Sequence, residues 1–183
     1  MNYKLVADSS SNVLTMADPH YASVPMKVRA EKEYIDDASL DLAAMVADLR
    51  SYSGKSGSAC PSVGEWLEAF GDAEYVFGLT ITKHLSGSYN AAQQAAETYM
   101  EEHPGRKAFI IDSLSTGPEM MMIVSKIREC EAAGMDFSEG MIRIARENYP
   151  GIPFYEGDMC TFAPGKQFDL ITATGDVLNH LPT

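Results

Sequence analysis

Apolar, β-prone segments alternate along the chain with segments in which apolar residues recur at helical spacing. Residues 4–7, 75–81 and 107–111 are predicted strands, because each is a short run rich in apolar and β-branched or aromatic residues. Such alternation is typical of a parallel sheet covered by helices. The pattern therefore predicts a single three-layer α/β/α domain with a mostly parallel sheet.

Turn and capping residues place the remaining elements. Two short strands are expected at about 23–30 and 33–35, and Pro25 favours an edge position for the first of them. Ser39 is expected to cap a helix that ends near Leu49 and has one apolar face, and residues 51–59 are expected to form a Gly/Ser loop. Further helices are predicted around Trp66 and at 86–100, 117–133 and 138–148, and further strands at 152–155 and 168–172.

Length and charge exclude several classes of protein. The 183 residues suit one ordinary domain. A net charge of −12 disfavours binding to nucleic acid or to an anionic membrane. No run approaches the roughly 18 apolar residues of a membrane-spanning helix, and the N-terminus lacks the layout of a signal peptide. A cytoplasmic protein is therefore expected, while its oligomeric state stays open.

The four histidines and three cysteines do not suggest a metal site. Cys60, Cys130 and Cys160 are widely spaced, which fits neither a disulfide framework nor structural zinc. The histidines lack the paired spacing of metal ligands. His84 differs from the others because it adjoins a serine-rich turn, where a cation could balance a bound carboxylate.

Small hydroxyl residues cluster where predicted strands end. The clusters are Asp8-Ser9-Ser10-Ser11, Ser86-Gly87-Ser88 and Asp112-Ser113, and an open parallel sheet has its ligand crevice at this edge. The second cluster opens a helix, whose free N–H groups and dipole can hold an anion without Lys or Arg. These residues suit a carboxylate, and ordinary N-capping is the alternative explanation for them.

Four motifs occur in a specific order: Asp8-Ser9, Ser58-Ala59-Cys60-Pro61-Ser62, Leu85-Ser86-Gly87-Ser88-Tyr89 and Asp112-Ser113. This order resembles the DegV family of bacterial fatty-acid-binding proteins, over about residues 3–139. That family typically shows Asp-Ser, Thr-Ser-x-Pro-Ser, Leu-Ser-Gly-Thr-Tyr and a later Asp-Ser. The sequence departs from this pattern at Ser58-Ala59, in place of Thr-Ser, and at Ser88, in place of Thr.

The resemblance implies a non-catalytic carrier of a long-chain fatty acid, with no cofactor, that passes its ligand to a fatty-acid kinase. It implies that Ser58 and Ser86, with the amides of Gly87 and Ser88, hold the carboxylate, while the acyl chain lies in a buried tunnel. The family's second domain, which closes over the ligand, has no recognisable counterpart in this sequence. Neighbours of the ligand are then expected among Ser9, Ser62, His84, Asp112 and Ser113.

Residues 134–183 are interpreted differently. The segments Gly134-Met135-Asp136-Phe137-Ser138, Glu156-Gly157-Asp158-Met159 and Phe168-Asp169-Leu170-Ile171 resemble part of a class I S-adenosylmethionine-dependent methyltransferase. The resemblance implies a cofactor site with Asp136 at the ribose and Asp158 and Met159 at the adenine. The implied cofactor-binding residues are Asp136, Phe137, Asp158 and Met159.

The methyltransferase pattern is incomplete. Leu114 and Ser115 stand where the glycine-rich loop of such an enzyme is expected, and that loop lets the backbone approach the cofactor. We therefore expect a DegV-like domain at 1–133 and a methyltransferase-like, Rossmann-like fragment at 134–183 that completes the same sheet, as in a chimera. The alternatives are a methyltransferase that uses S-adenosylmethionine and a fusion protein with no ligand.

Overall fold

Four parallel strands form the main sheet in the computed structural model, which describes residues 2–132. All neighbouring strands of this sheet are parallel. Helices flank the sheet, so the α/β fold class predicted from the sequence is confirmed. The chain divides into two compact units, Met1–Lys126 and Ile127–Thr183, and the features described below lie in the first unit, apart from the end of the last described helix. The order across the sheet is β2 (Tyr21–Val24), β1 (Tyr3–Asp8), β6 (Tyr75–Thr80) and β7 (Lys107–Asp112).

A second, antiparallel sheet contains three short strands. Its order is β4 (Glu33–Ile35), β3 (Lys27–Arg29) and β5 (Gly57–Ala59). The prediction of a loop at 51–59 is therefore wrong for its last three residues, which form β5, where Ser58 pairs with Val28 of β3. The single strand predicted at 23–30 is divided between β2 and β3. Pro25 lies at this break, where it has no N–H to continue a ladder.

The first helix differs from its prediction. Within residues 2–132, the α-helices are α1 (Leu42–Ser51), α2 (Val63–Phe70), α3 (Ser88–Glu102) and α4 (Pro118–Ala132). Asp41 rather than Ser39 caps α1, since the Asp41 side chain accepts a hydrogen bond from the Ala44 N–H at 2.9 Å. Ser39 instead donates its hydroxyl to Asp37, and none of the residues of α1 is buried.

One face of the main sheet packs against α2 and α3. Val6 and Val76 lie on this face, in one cluster with Trp66 and Phe70 of α2 and Tyr99 of α3. The Tyr99 hydroxyl contacts the carbonyl oxygens of residues 73 and 71, at 2.7 and 3.1 Å. Since side chains alternate along a strand, the neighbours of Val6 and Val76 point to the opposite face. On that face Leu5 and Ala7, which flank Val6, are buried, as is Leu79, three positions after Val76. Met120 and Val124 of α4 are buried as well.

Candidate functional site

The carboxyl ends of three parallel strands bring the predicted clusters to one edge of the sheet. Thr80 of β6 pairs with Asp112 of β7. On the other side, Leu79 pairs with Ala7, so Asp8 ends β1 at the same level. The open edge predicted from the strand ends is therefore formed, and the residues that follow each strand lie around it.

Asp8 is an acidic group at this edge with no exposed surface. Its Oδ2 accepts hydrogen bonds from the Ile81 N–H at 2.9 Å and from the Ser88 hydroxyl at 2.7 Å. Its Oδ1 has no hydrogen-bond partner of normal geometry, although Ser10 lies near enough to favour the carboxylate form. Burial raises the pKa of Asp8 above 3.8, against the lowering effect of these neighbours. The sequence did not place Asp8 among the ligand-binding residues. Its position at the end of a buried strand was the one sequence feature that could have pointed to a role at this edge.

The turn before α3 contains the residues that the resemblance assigned to the carboxylate. The Ser88 N–H donates to Ser86 Oγ at 3.2 Å. The Ser88 hydroxyl points inward to Asp8, so its proton is not available to a ligand. Within residues 2–132, no hydrogen bond donated by the Ser86 hydroxyl is present, and this side chain is half-buried. Ser86 is therefore the hydroxyl of this turn that can donate outward.

The loop after β5 meets this turn. A Cβ atom added at Gly87 would lie 3.3 Å from Cys60 Sγ, so glycine permits the close approach of the two motifs. Cys60 is a half-buried free thiol. Ser58, two residues earlier, is exposed on β5. The structure thus brings the Ser58–Ser62 motif beside the Ser86–Ser88 motif, as a shared site requires.

Two other candidate serines are used within the protein. The buried Ser9 hydroxyl donates to Asp36 Oδ2 at 2.6 Å and accepts from the Met26 N–H at 3.0 Å. The Ser62 hydroxyl donates to Glu65 Oε2 at 2.7 Å. It also accepts from the Glu65 N–H at 3.3 Å while the Ser62 N–H donates to Glu65 Oε2 at 2.8 Å, and these two bonds form a capping box at the start of α2. Both side chains position loops around the edge of the sheet.

Asp112 joins the two loops on the other side of the edge. Its Oδ1 accepts from the N–H groups of Lys83 at 3.3 Å and Leu114 at 3.1 Å, and Lys83 Nζ lies 3.5 Å from Oδ2. Burial opposes ionisation, but these hydrogen bonds and the Lys83 charge outweigh it and lower the pKa of Asp112. Ser113 donates to the Ser115 carbonyl at 3.0 Å. His84, the cation expected from the sequence, is exposed. Its neighbour Lys83, to which the sequence assigned no role, pairs with Asp112 at this edge.

Glu65 ties α2 to β3 through an ion pair. Lys27 Nζ lies 2.5 Å from Glu65 Oε2, and the Ser62 N–H donates to the same oxygen at 2.8 Å. Burial raises the pKa of Glu65, but Lys27 and Ser62 outweigh this effect and lower it from 4.5 to about 2. A carboxylate whose pKa is depressed by folding stabilises the fold above its unfolded pKa, and this stabilisation is lost as the pH falls toward the folded pKa.

Glu65→Gln is therefore expected to flatten the acid dependence of stability. A shift of this size corresponds to about 3 kcal/mol, which solvent screening of a partly exposed pair reduces to about 1 to 2 kcal/mol. Urea unfolding at about pH 6 and pH 2.5 should show that the wild type loses this much more stability than the variant. Glu68→Gln, at an exposed position of the same helix, is the matched control and should behave as the wild type. Equal acid losses in the wild type and Glu65→Gln would contradict the assignment.

The residues predicted to bind a nucleoside cofactor cannot be placed in the fold. Asp136, Phe137, Asp158 and Met159 lie outside the described residues. Within residues 2–132, no group of three or more His, Cys, Asp or Glu side chains is placed to hold a metal ion. The helices of that same part include none with the length and apolar character needed to cross a bilayer.

Comparison with known sequences gives one consistent family. The profile of a family described as an uncharacterised protein, DegV family, matches residues 2–149. A DegV domain-containing protein of Streptococcus pneumoniae is 39% identical over 144 residues, which are 76% of this chain and 51% of that protein. The chain thus spans about half the length of the curated relatives it matches. The family match includes Asp136 and Phe137, and these comparisons give no support to a methyltransferase fragment or a chimera.

The solved structures that are similar to this chain include two with 38% identity. One is a DegV family protein from Eubacterium eligens loaded with heptadecanoic acid; it has a TM-score of 0.73 and 38% identity, and the match covers 80% of this chain and 53% of that one. The other is the Streptococcus pneumoniae Fatty Acid Kinase (Fak) B3 protein loaded with linoleic acid. Its TM-score is 0.74 at 38% identity, with coverage of 79% of this chain and 53% of that one.

Proposed function

This chain belongs to the DegV family, and we propose that it binds a long-chain fatty acid and acts as a non-catalytic carrier. Two similar structures hold heptadecanoic acid and linoleic acid, which supports a ligand of this class. The observation that carries the proposal is the start of α3, where the half-buried Ser86, whose hydroxyl donates no hydrogen bond within residues 2–132, lies beside a helix N-terminus that its N-cap residue leaves without a side-chain cap.

The N-terminus of α3 suits a carboxylate. Asp41 caps α1 and Ser62 caps α2, whereas Gly87, at the N-cap of α3, has no side chain. The Ser88 N–H donates to Ser86 Oγ, but the N–H groups that follow it, those of Tyr89 and Asn90, have no side-chain acceptor within residues 2–132. Such groups need a partner, and together with the helix dipole they favour an anion. Ser86 adds a hydroxyl that can donate a charge-assisted hydrogen bond to the same anion.

Ser58 is proposed as the second hydroxyl of the carboxylate site. It is exposed on β5, and Cys60, two residues further on, approaches Gly87. Ser88 contributes through its place in the turn rather than through its hydroxyl, which Asp8 accepts. Ser9, Ser62, Asp112 and Ser113 support the surrounding loops.

A fatty-acid kinase is proposed as the partner that receives the ligand. The name of the similar Streptococcus pneumoniae protein associates it with such a kinase. Because the chain covers about half of that protein, the partner and the delivery step belong to the proposal together with the ligand.

A titration with a long-chain fatty acid and its methyl ester tests the carboxylate site. The ester has the same acyl chain but no charged acceptor. A hydrogen bond to a charged group contributes about 1.5 to 3 kcal/mol, so the ester should bind about 10- to 100-fold more weakly. Equal affinities would place the binding energy in the acyl chain alone and would contradict the assignment of the Ser86 turn.

A further inference from the structure

The start of α3 is fixed by a side chain other than its N-cap. Gly87 makes no side-chain cap, and the first residue of the helix, Ser88, instead donates its hydroxyl to Asp8 Oδ2 at 2.7 Å. Both residues are fully buried, and they lie 80 positions apart in the sequence. The helix start is therefore attached to the end of β1, which lies inside the main sheet between β2 and β6.

The same oxygen also holds the other end of the segment that precedes α3. The Ile81 N–H donates to Asp8 Oδ2 at 2.9 Å. Residues 81 and 88 are thus bound to a single carboxyl oxygen, and the segment between them contains Ser86 and Gly87. A fully buried carboxyl with one oxygen that lacks a hydrogen bond of normal geometry costs stability, so packing alone does not account for it.

We propose that Asp8 is the positioning residue of the carboxylate site: by holding Ile81 and Ser88, it sets the direction of the Ser86 hydroxyl and of the first N–H groups of α3. The inference rests on the proposed function, since it concerns how the site for a fatty-acid carboxylate is built. Asp8 acts through Ser88 and the backbone and does not itself contact the ligand.

Ser88→Ala tests the link directly, because it removes the donor to Asp8 and adds no bulk. Its affinity for a long-chain fatty acid should fall about tenfold, the order expected when a charge-assisted hydrogen bond is weakened. Asp8→Asn keeps an oxygen that can accept both hydrogen bonds and should bind within about threefold of the wild type. Tyr99→Phe loses a buried hydrogen bond near the other end of the same helix, so it should lower the urea midpoint and leave the affinity unchanged.

Hydrogen exchange in the ligand-free protein provides a readout that does not depend on binding. The amides of Ser88 and Ala91 donate the first hydrogen bonds at the start of α3, to Ser86 Oγ and to the Gly87 carbonyl. They should exchange about tenfold faster in Ser88→Ala than in the wild type, and should be unchanged in Tyr99→Phe. If no fatty acid binds to the wild type, the proposed function fails, while the exchange rates still decide whether Asp8 orders the turn.

Two results would overturn the inference. One is a folded Ser88→Ala protein with wild-type affinity and wild-type exchange at the amides of residues 88 and 91. The other is a folded Asp8→Asn protein that binds at least tenfold more weakly, because the charge of Asp8 rather than its acceptor geometry would then matter. Asp8→Asn retains the hydrogen bonds of the turn, so its binding can still contradict the inference where Ser88→Ala does not fold.

Discussion

Ser86→Ala is expected to weaken the binding of a long-chain fatty acid by about 10- to 100-fold. Ser86 Oγ accepts from the Ser88 N–H, and its proton is the one in this turn that can be donated to a ligand. Loss of a hydrogen bond to a charged acceptor costs about 1.5 to 3 kcal/mol, and about 1.4 kcal/mol corresponds to tenfold in affinity. Isothermal titration calorimetry with one fatty acid at fixed pH and salt measures this difference.

The control for Ser86→Ala removes a serine hydroxyl elsewhere. Ser51 ends α1, is exposed, and donates its hydroxyl to the Asp48 carbonyl at 3.0 Å. Ser51→Ala should therefore bind the fatty acid as the wild type does. An unchanged affinity in Ser86→Ala, with its unfolding midpoint also unchanged, would remove Ser86 from the carboxylate site.

Trp66→Ala is expected to cost about 3 to 5 kcal/mol of unfolding free energy. Trp66 has no exposed surface and packs in the cluster between α2 and the main sheet, with its ring 6.1 Å from that of Phe70. Alanine would lose the burial of the indole and leave a cavity under α2. Because α2 follows the loop that contains Cys60 and Ser62, this packing also holds one side of the candidate site in place.

Two further variants separate the cavity from other effects of the Trp66 substitution. Leu67→Ala, at a half-buried position of the same helix, should cost clearly less. Trp66→Phe keeps an aromatic ring and removes an indole N–H that has no hydrogen-bond partner among the described residues, so its cost should also be smaller. Urea unfolding of the three variants measures these differences. Equal losses in Trp66→Ala and Leu67→Ala would contradict the central position of Trp66 in the core.

Three strands of the main sheet, β1, β6 and β7, were predictable because each is a short run rich in apolar residues. The segment predicted at 75–81 forms β6 over Tyr75–Thr80, and the one predicted at 107–111 forms β7 over Lys107–Asp112. Such runs are recognisable as strands by their short length, their β-branched and aromatic residues and the turn residues that flank them. Their parallel arrangement followed from the helices between them.

The smaller sheet was harder to predict, because its pairing is not local. Gly57–Ala59 has the composition of a loop, and it becomes a strand only because β3, almost thirty residues earlier, supplies the hydrogen bonds. The predicted cap of α1 was wrong for a similar reason. Ser39 and Asp41 are both residues that cap helices well, and which of them caps α1 depends on Asp37, which accepts the Ser39 hydroxyl.

The position of the candidate site was predictable, but the use of each hydroxyl was not. Strand ends and a helix start place Ser86 and Asp112 at one edge from topology alone. Whether a serine faces a ligand depends on distant partners: Ser9 donates to Asp36, 27 positions away, and Ser88 donates to Asp8, 80 positions away. Capping preferences cannot distinguish these serines from Ser86, because all of them are small hydroxyl residues near the start of a helix or turn.

Native mass spectrometry of the freshly purified protein, followed by denaturing extraction of any bound molecule, tests the fatty-acid proposal most directly. The account predicts an adduct that is released as a long-chain fatty acid, and a reduced adduct in Ser86→Ala. A bare protein mass that also fails to acquire a mass shift with added fatty acid would contradict it. So would an adduct that proves to be a nucleoside cofactor such as S-adenosylmethionine.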